Sequence, residues 1–324
     1  MTENTMKNGN DFLSDEPIVG ISPAAKRLQK VVNKIAATNS NVLIIGEPGI
    51  GKEYTANQIF HLSNQFNNSF VKIDCAELGK TTTYTDLYGE DSEGDGAIIR
   101  SIGLLEKANN GILFLDNINK LSHEFQEEFL RILRDKTVRR LGSNESKKLN
   151  MRVISSSDFD LMPEVDSGRF KKDLYYLLNT LTLVIPPLRE RKQDIPEFFA
   201  FYLKKFCKEE SIEEPAVSAE IFESILGYEW KGNVRELKST VHNLLTMSPK
   251  GELSADFLPF RIKKHPLEFL DPRNIKQTTI QIETYLIKKA LRKFSGHQVK
   301  AAKLLGMPEA TLRFKMKKYS INKK

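Results

Sequence analysis

The sequence predicts an α/β fold, a mostly parallel sheet built around a phosphate loop, followed by a helical domain and a small all-α unit. Three features predict it. Short apolar runs alternate with amphipathic stretches through the first half of the chain. One of these runs, Val42 to Ile45, stops at a glycine-rich turn. After Pro186-Pro187 strand signals cease and helical periods take over.

Taken in order, residues 1–16 are polar and read as a disordered leader, and Pro17 to Gly20 opens the folded part. From Ala24 to Ala37, Leu28, Val31, Val32 and Ile35 fall at helical spacing. The strand Val42 to Ile45 runs into Gly46-Glu47-Pro48-Gly49-Ile50-Gly51-Lys52, the spacing of a Walker A loop. Glycines let backbone amides turn inward around a polyphosphate, the following helix adds its positive pole, and Lys52 reaches the outer phosphates. Glu53 stands where a hydroxyl residue usually ligates magnesium. Strands are expected at Phe70 to Asp74 and at Gly111 to Leu115, the latter ending in Asp116. Four apolar residues and an acid make a Walker B strand, whose carboxylate orders the water shell of magnesium beside the phosphates. A helix from Glu124 to Asp135 places Phe125, Phe129, Ile132 and Leu133 on one face, and strands recur at Met151 to Ile154 and Leu181 to Ile185. Asp194 to Cys207, Ser218 to Leu226 and Asn233 to Met247 read as helices of a second, all-helical domain.

Composition narrows the function class. A chain of 324 residues with 40% hydrophobic content has room for two or three folded domains. No apolar run spans a bilayer and the start lacks the pattern of a signal peptide, so a cytoplasmic protein without a membrane partner is expected. Cys75 and Cys207 read as core thiols, and the scattered histidines predict no metal beyond magnesium. The net charge of +7 is uneven. From Lys263 to Lys324 there are 16 Lys and Arg against 4 Asp and Glu, a net of +12 that leaves −5 for the rest. Such a tail suits an anionic polymer, provided that it folds.

Its pattern says that it does. Ile280 to Lys293 carries Ile282, Leu286, Ile287, Ala290 and Leu291 on one face, and Gln298 to Leu305 is a second helix with Ala301, Ala302 and Leu305 inward. Gly306-Met307 makes a turn, and Pro308 pre-sets the first turn of a third helix in which Leu312 and Met316 face in. This is a helix-turn-helix. Glu309, Ala310, Thr311 and Arg313 are placed to meet base edges of double-stranded DNA, while Lys315, Lys317 and Lys318 meet phosphates.

Residues 17–324 resemble the bacterial enhancer-binding proteins, sigma-54-dependent activators that join an AAA+ ATPase to a Fis-type helix-turn-helix. GEPGIGKE, ILFLD, DLYY, PPLRER-x-DIP and W-x-GNVREL carry the resemblance, and a glutamate after the lysine is usual for that family. The resemblance implies an AAA+ P-loop domain over 17–188, a helical lid over 189–262, a linker over 263–278 and the helix-turn-helix over 279–324. It also implies ATP and Mg2+ as cofactors, RNA polymerase holoenzyme as partner, and a homo-oligomer, hexamer or dimer, with ATP between subunits. By motif position Val19 and Gly20 lie near the adenine, Gly46, Glu47, Pro48, Gly49, Ile50, Gly51, Lys52 and Glu53 form the phosphate site, Asp116 holds magnesium through water, and Arg235 is the sensor arginine of the lid. A receiver or sensory domain usually precedes this module; here only the short leader does, so control is expected from abundance, a partner or the nucleotide.

The departures are informative. The family follows its Walker B aspartate with a water-polarising glutamate, and this chain has Asn117; it places an asparagine on the neighbouring strand, and this chain has Asp74. An amide holds a water but cannot take its proton. The two arginine fingers of the family's F-R-x-D-L-Y-Y-R-L segment are here Lys171 and Leu177. Losing such a finger generally costs on the order of 10³ in rate or more. The sensor segment reads Ser155-Ser156-Ser157-Asp158 in place of A-A-T-N, and Glu93-Gly94-Asp95-Gly96-Ala97 replaces the G-A-F-T-G-A loop that touches sigma-54. The pattern fits a DNA-binding regulator that binds ATP and hydrolyses it slowly or not at all. Its rivals are a working sigma-54 activator with tolerated changes and an inactive subunit in a mixed ring.

Overall fold

The structure is a computed structural model. It describes residues 19–63, 69–94, 97–248, 252–262 and 296–319, together with 280, 283–284, 286–288, 290–291, 294 and 321, with 93–94 and 97–99 described by their backbone alone. The leader, the linker and Ile282 lie outside the described residues. The chain divides into two compact units, Met1–Leu258 and Pro259–Lys324.

The first unit is built on a five-stranded sheet, in spatial order β2 (Phe70–Asp74), β5 (Ile112–Asp116), β8 (Arg152–Ser157), β1 (Val42–Ile45) and β9 (Leu181–Val184). All five strands are parallel. Side chains alternate across a strand, so a continuous apolar run feeds both faces. Val42, Ile44, Ile112 and Phe114 pack with α1 (Pro23–Ala36) and α2 (Lys52–His61) through Leu28, Val32, Ile35 and Ile59. Leu43, Leu113 and Leu115 face the other way, onto Phe125, Phe129 and Ile132 of α5 (His123–Asp135) and Leu174 and Leu178 of α7 (Lys172–Leu178). Val31 turns outward from α1.

Two pieces carry no strong sequence signal. Strand β8 continues to Ser157, three residues past the expected end, because Ser155, Ser156 and Ser157 are buried with their hydroxyls bonded: Ser155 Oγ donates to Val42 O at 3.3 Å and Ser157 Oγ to Phe159 O at 2.6 Å. Two hairpins are inserted, β3 (Gly89–Gly94) with β4 (Ala97–Ile102) and β6 (Thr137–Arg139) with β7 (Ser146–Lys148). A Cβ on Gly89 would sit 2.3 Å from Ser101 O, so the first hairpin closes only on a glycine. Arg140 fastens its base, bonding Asp91 at 2.9 Å and Glu106 at 2.8 Å. The short helices α3 (Tyr84–Tyr88), α4 (Leu104–Lys107) and α6 (Met162–Asp166) complete this part.

The lid has α8 (Ile195–Glu209), α9 (Ala219–Gly227) and α10 (Asn233–Met247). Trp230, fully buried, donates Nε1 to Ile225 O at 2.8 Å and locks the turn before α10. The all-helical expectation needs one correction: β10 (Ala216–Val217) and β11 (Glu252–Leu253) form a short parallel pair, too brief to register as periodicity.

The second unit holds α11 (Gln298–Leu304) and α12 (Glu309–Lys318). Ile287, Ala290, Leu291, Ala301, Ala302, Leu312 and Met316 share one core with Leu305 against it. Leu286 is the exception among the expected inward residues, at 45% exposed. Pro308 caps α12 from outside with extended backbone, one position earlier than expected.

Candidate nucleotide-binding site

The phosphate-loop residues lie at the carboxyl end of β1, and Asp74, Asp116 and Asn117 at the carboxyl ends of β2 and β5, whereas Lys171 and Leu177 lie elsewhere, against Glu127 and Asn41. The phosphate loop leaves β1 at Gly46, whose N–H donates to Ser157 O at 3.1 Å. Gly49 and Gly51 take positive φ of 76° and 104°. Gly51 precedes α2 without a side-chain cap, so the first amides of that helix are not claimed by a capping side chain, and Glu53 lies in its first turn. Lys52, 8% exposed, donates Nζ to Gly46 O at 2.7 Å and to Asp158 Oδ1 at 2.7 Å. Ile50 is buried beneath the loop.

The loop is held from the lid. Glu47 accepts a two-pronged bond from Arg189, at 2.8 and 2.6 Å, and a third from Asn233 Nδ2 at 3.1 Å. The Arg189 bond, then the Asn233 bond, hold the Glu47 carboxyl down at about 2. Asn233 also donates to Pro48 O at 3.2 Å and accepts from Leu188 N at 2.9 Å. A Cβ on Gly49 would lie 2.5 Å from Gly232 O, so glycine lets loop and lid touch. Arg235 N donates to Gly49 O at 3.0 Å, while its side chain has no bonded partner among the described residues.

Beside the loop is a cavity of about 160 Å³ lined by Val19, Ile50, Tyr54, Arg191, Phe198 and Tyr202, among others. Gly20, with φ 140°, is pressed against Asp194, whose carboxylate accepts from Ile21 N at 2.8 Å and Ser22 N at 2.7 Å. Buried Arg191 lies 5.4 Å from the Phe198 ring centre, and its Nε has no hydrogen-bond partner. The apolar walls suit a flat ring and the loop beside them suits phosphates.

At the end of β5, Asp116 Oδ1 accepts from Ser156 Oγ at 2.5 Å, and Asp74 is its direct neighbour on β2. Asn117 sits at φ 56°, a left-handed position that asparagine tolerates well. Its Nδ2 donates to Asp74 Oδ1 at 3.0 Å. Lys72, two residues before Asp74 and on its face of β2, reaches Glu53 at 2.7 Å and Asp116 at 3.4 Å. Burial opposes its charge, but Glu53 and then Asp116 outweigh burial and raise its pKa. Lys171 pairs with Glu127 at 2.8 Å, and Leu177 contributes a carbonyl that accepts from Asn41 Nδ2 at 2.8 Å. Sequence reasoning passed over Lys72, Asp158, Arg189 and Asn233 as partners. Arg189 and Asn233 lay inside quoted motifs, and the two-residue period linked Lys72 to Asp74.

In the second unit, Ala310, Arg313, Phe314 and Lys317 share one face of α12 at i, i+3, i+4, i+7, and Thr311 is exposed. Arg313 bonds Glu309 at 2.5 Å and Gln298 at 3.1 Å. Lys315 lies apart, paired with Glu283, and Lys318 lies over the Tyr319 ring.

These features define a P-loop AAA+ module with a helical lid in the first unit and a helix-turn-helix in the second. Residues 18–184 match the sigma-54 interaction domain, 189–270 the AAA+ ATPase lid domain, and 280–319 the Fis family of bacterial regulatory proteins. The chain belongs to the sigma-54 interaction domain family of NtrC-like transcriptional regulators. It is 33% identical to the Nif-specific regulatory protein of Azotobacter vinelandii over 94% of this chain and 59% of that one. It is 31% identical to the transcriptional activator RocR of Bacillus subtilis over 98% of this chain and 71% of RocR. Among solved structures, NtrX from Brucella abortus, crystallised with ADP and with ATP, superimposes with a TM-score of 0.70 at 28% identity, covering 95% of this chain and 70% of NtrX. Among the described residues no helix is long and apolar enough to cross a membrane.

Proposed function

We propose that this chain is a DNA-binding transcriptional regulator that holds ATP between its phosphate loop and lid, splits it slowly or not at all, and uses it to set its oligomeric state. The Asn117 to Asp74 hydrogen bond carries the reading. The residue after the Walker B aspartate is an amide spending a donor on its neighbour, and the nearby carboxylate is held one strand away. Lys171 and Leu177 support it, since neither offers a planar charged fork to a neighbouring subunit's nucleotide.

The residues fit the cofactors. Amides at the start of α2 and Lys52 suit phosphates, Val19 lines the ring cavity with Gly20 next to it in the chain, and Arg235 is free to reach across from the lid. Glu53 and Asp116 both approach the Lys72 ammonium, so two carboxylates stand within reach of one cation. They would hold Mg2+, Asp116 through water, and the ion would neutralise phosphate charge. The complexes of NtrX with ADP and ATP support carrying these ligands to this chain. Ligand closing the lid over the loop would favour one assembly, hexamer or dimer, and so set how many α12 helices meet DNA together. The acidic tip from Glu93 to Ala97 would give sigma-54 and its RNA polymerase holoenzyme a weak apolar contact. A cytoplasmic location follows from this role.

A nucleotide-binding titration beside a steady-state phosphate-release assay tests the reading. Tight ATP binding with turnover at the protein-free background is expected; brisk turnover stimulated by DNA would overturn it.

A further inference from the structure

Lys52 has three N–H donors and three oxygens around them: Gly46 O at 2.7 Å, Asp158 Oδ1 at 2.7 Å and Glu47 O at 3.4 Å. The ion pair is well shielded, with side chains 8% and 19% exposed. Asp158 is held in place as well. It follows Ser157, whose carbonyl accepts from Gly46 N at 3.1 Å, and its own N–H is directed at Asn119 Oδ1, 3.4 Å away. The carboxylate therefore belongs to the rigid end of β8, facing the phosphate loop across a distance set by the sheet.

We propose that Asp158 sets the choice of nucleotide at this site, tilting it from a nucleoside triphosphate towards a nucleoside diphosphate. This rests on the nucleotide-binding reading above. The phosphate-loop lysine ordinarily serves the outer phosphates. A terminal phosphate that recruits Lys52 must displace a carboxylate from it and then lie beside that carboxylate, so the extra charge of a triphosphate meets a fixed charge of the same sign. A diphosphate has less need of the lysine. Its last phosphate is served by loop amides and the start of α2, which carry no opposing charge, and the Lys52 to Asp158 pair can persist.

The test is calorimetric titration of the full chain with ADP and with ATP, in the same magnesium and salt, for the native protein, Asp158→Asn and Asp158→Ser. The native chain is expected to bind ADP at least as tightly as ATP. Removing the charge should strengthen ATP binding by about tenfold to a hundredfold, the effect of one neighbouring charge, and change ADP binding far less. The serine variant guards against a packing fault peculiar to the asparagine. If the native chain binds both nucleotides and neither variant raises the ATP to ADP affinity ratio, the proposal falls while the nucleotide-binding reading stands. If the native chain binds neither nucleotide, both fall.

Discussion

Along the carboxyl edge of the five-stranded sheet, the phosphate loop and the corner at the end of β5 are built differently. The loop works mainly through backbone: glycines at positive φ, amides at a helix start, and a lysine and a glutamate anchored to the lid and to β8. The corner depends more on side chains, with Asp116 accepting from Ser156 and Asn117 donating to Asp74. Gripping a polyphosphate is thus written mainly in backbone, whereas splitting one depends on single side chains placed to take a proton or offer charge.

The largest effect expected from this contrast is at the loop. Lys52→Ala should weaken ATP binding by about 2 to 5 kcal/mol, the range for truncating a buried hydrogen-bonded charge. Equilibrium titration checks it, and an effect below tenfold would mean that the amides alone suffice. At the corner, Asn117→Glu should lower folding stability by about 1 to 3 kcal/mol, since it sets a second carboxylate against Asp74 and removes a donor. Adding Asp74→Asn should return most of that loss, giving a coupling that a double-mutant cycle in urea resolves. Additive losses would show that the two residues do not act as a pair.

The second unit sharpens the contrast between engaged and free charges. Arg313→Ala should cost about 1 to 3 kcal/mol at a specific DNA site, while Lys317→Ala should mainly lower the salt dependence of binding, by a slope of about 1. Equal losses on all sequences for both would reassign Arg313 to phosphate. The smallest effect concerns the lid anchor. Glu47 is held at about 2, below its ordinary 4.5, so its contribution to stability is complete above about pH 4.5 and is lost as pH falls towards 2. Glu47→Gln should flatten the stability profile in that window and nowhere else.

How much of this was legible beforehand follows the physics. Strands β1 and β5 announced themselves because both faces are buried along runs of four apolar residues, Val42 to Ile45 and Ile112 to Leu115. The end of β8 stayed hidden because its buried residues are serines, whose hydroxyls find partners only in three dimensions. The hairpins β3–β4 and β6–β7 stayed hidden because one strand of each, β3 and β7, carries no apolar residue, and β6 and β7 have only three residues each. Of the candidate site, the glycine and lysine spacing was readable, being local. The pairing of Lys52 with Asp158, 106 residues apart, and of Glu47 with Arg189, 142 apart, was not, because contact across a sheet leaves no trace in local spacing.

Both cysteines are sealed in, Cys75 directly after β2 at 3% exposed and Cys207 within α8 at 2%. Burial pushes both thiols up, Cys75 most strongly, so neither is a ready nucleophile in the closed fold. An alkylating reagent would therefore act as a clock for breathing motions, with one chemical mark for the sheet and a second for the lid. Comparing the two labelling rates with and without nucleotide would tell whether these regions open as one body or one at a time.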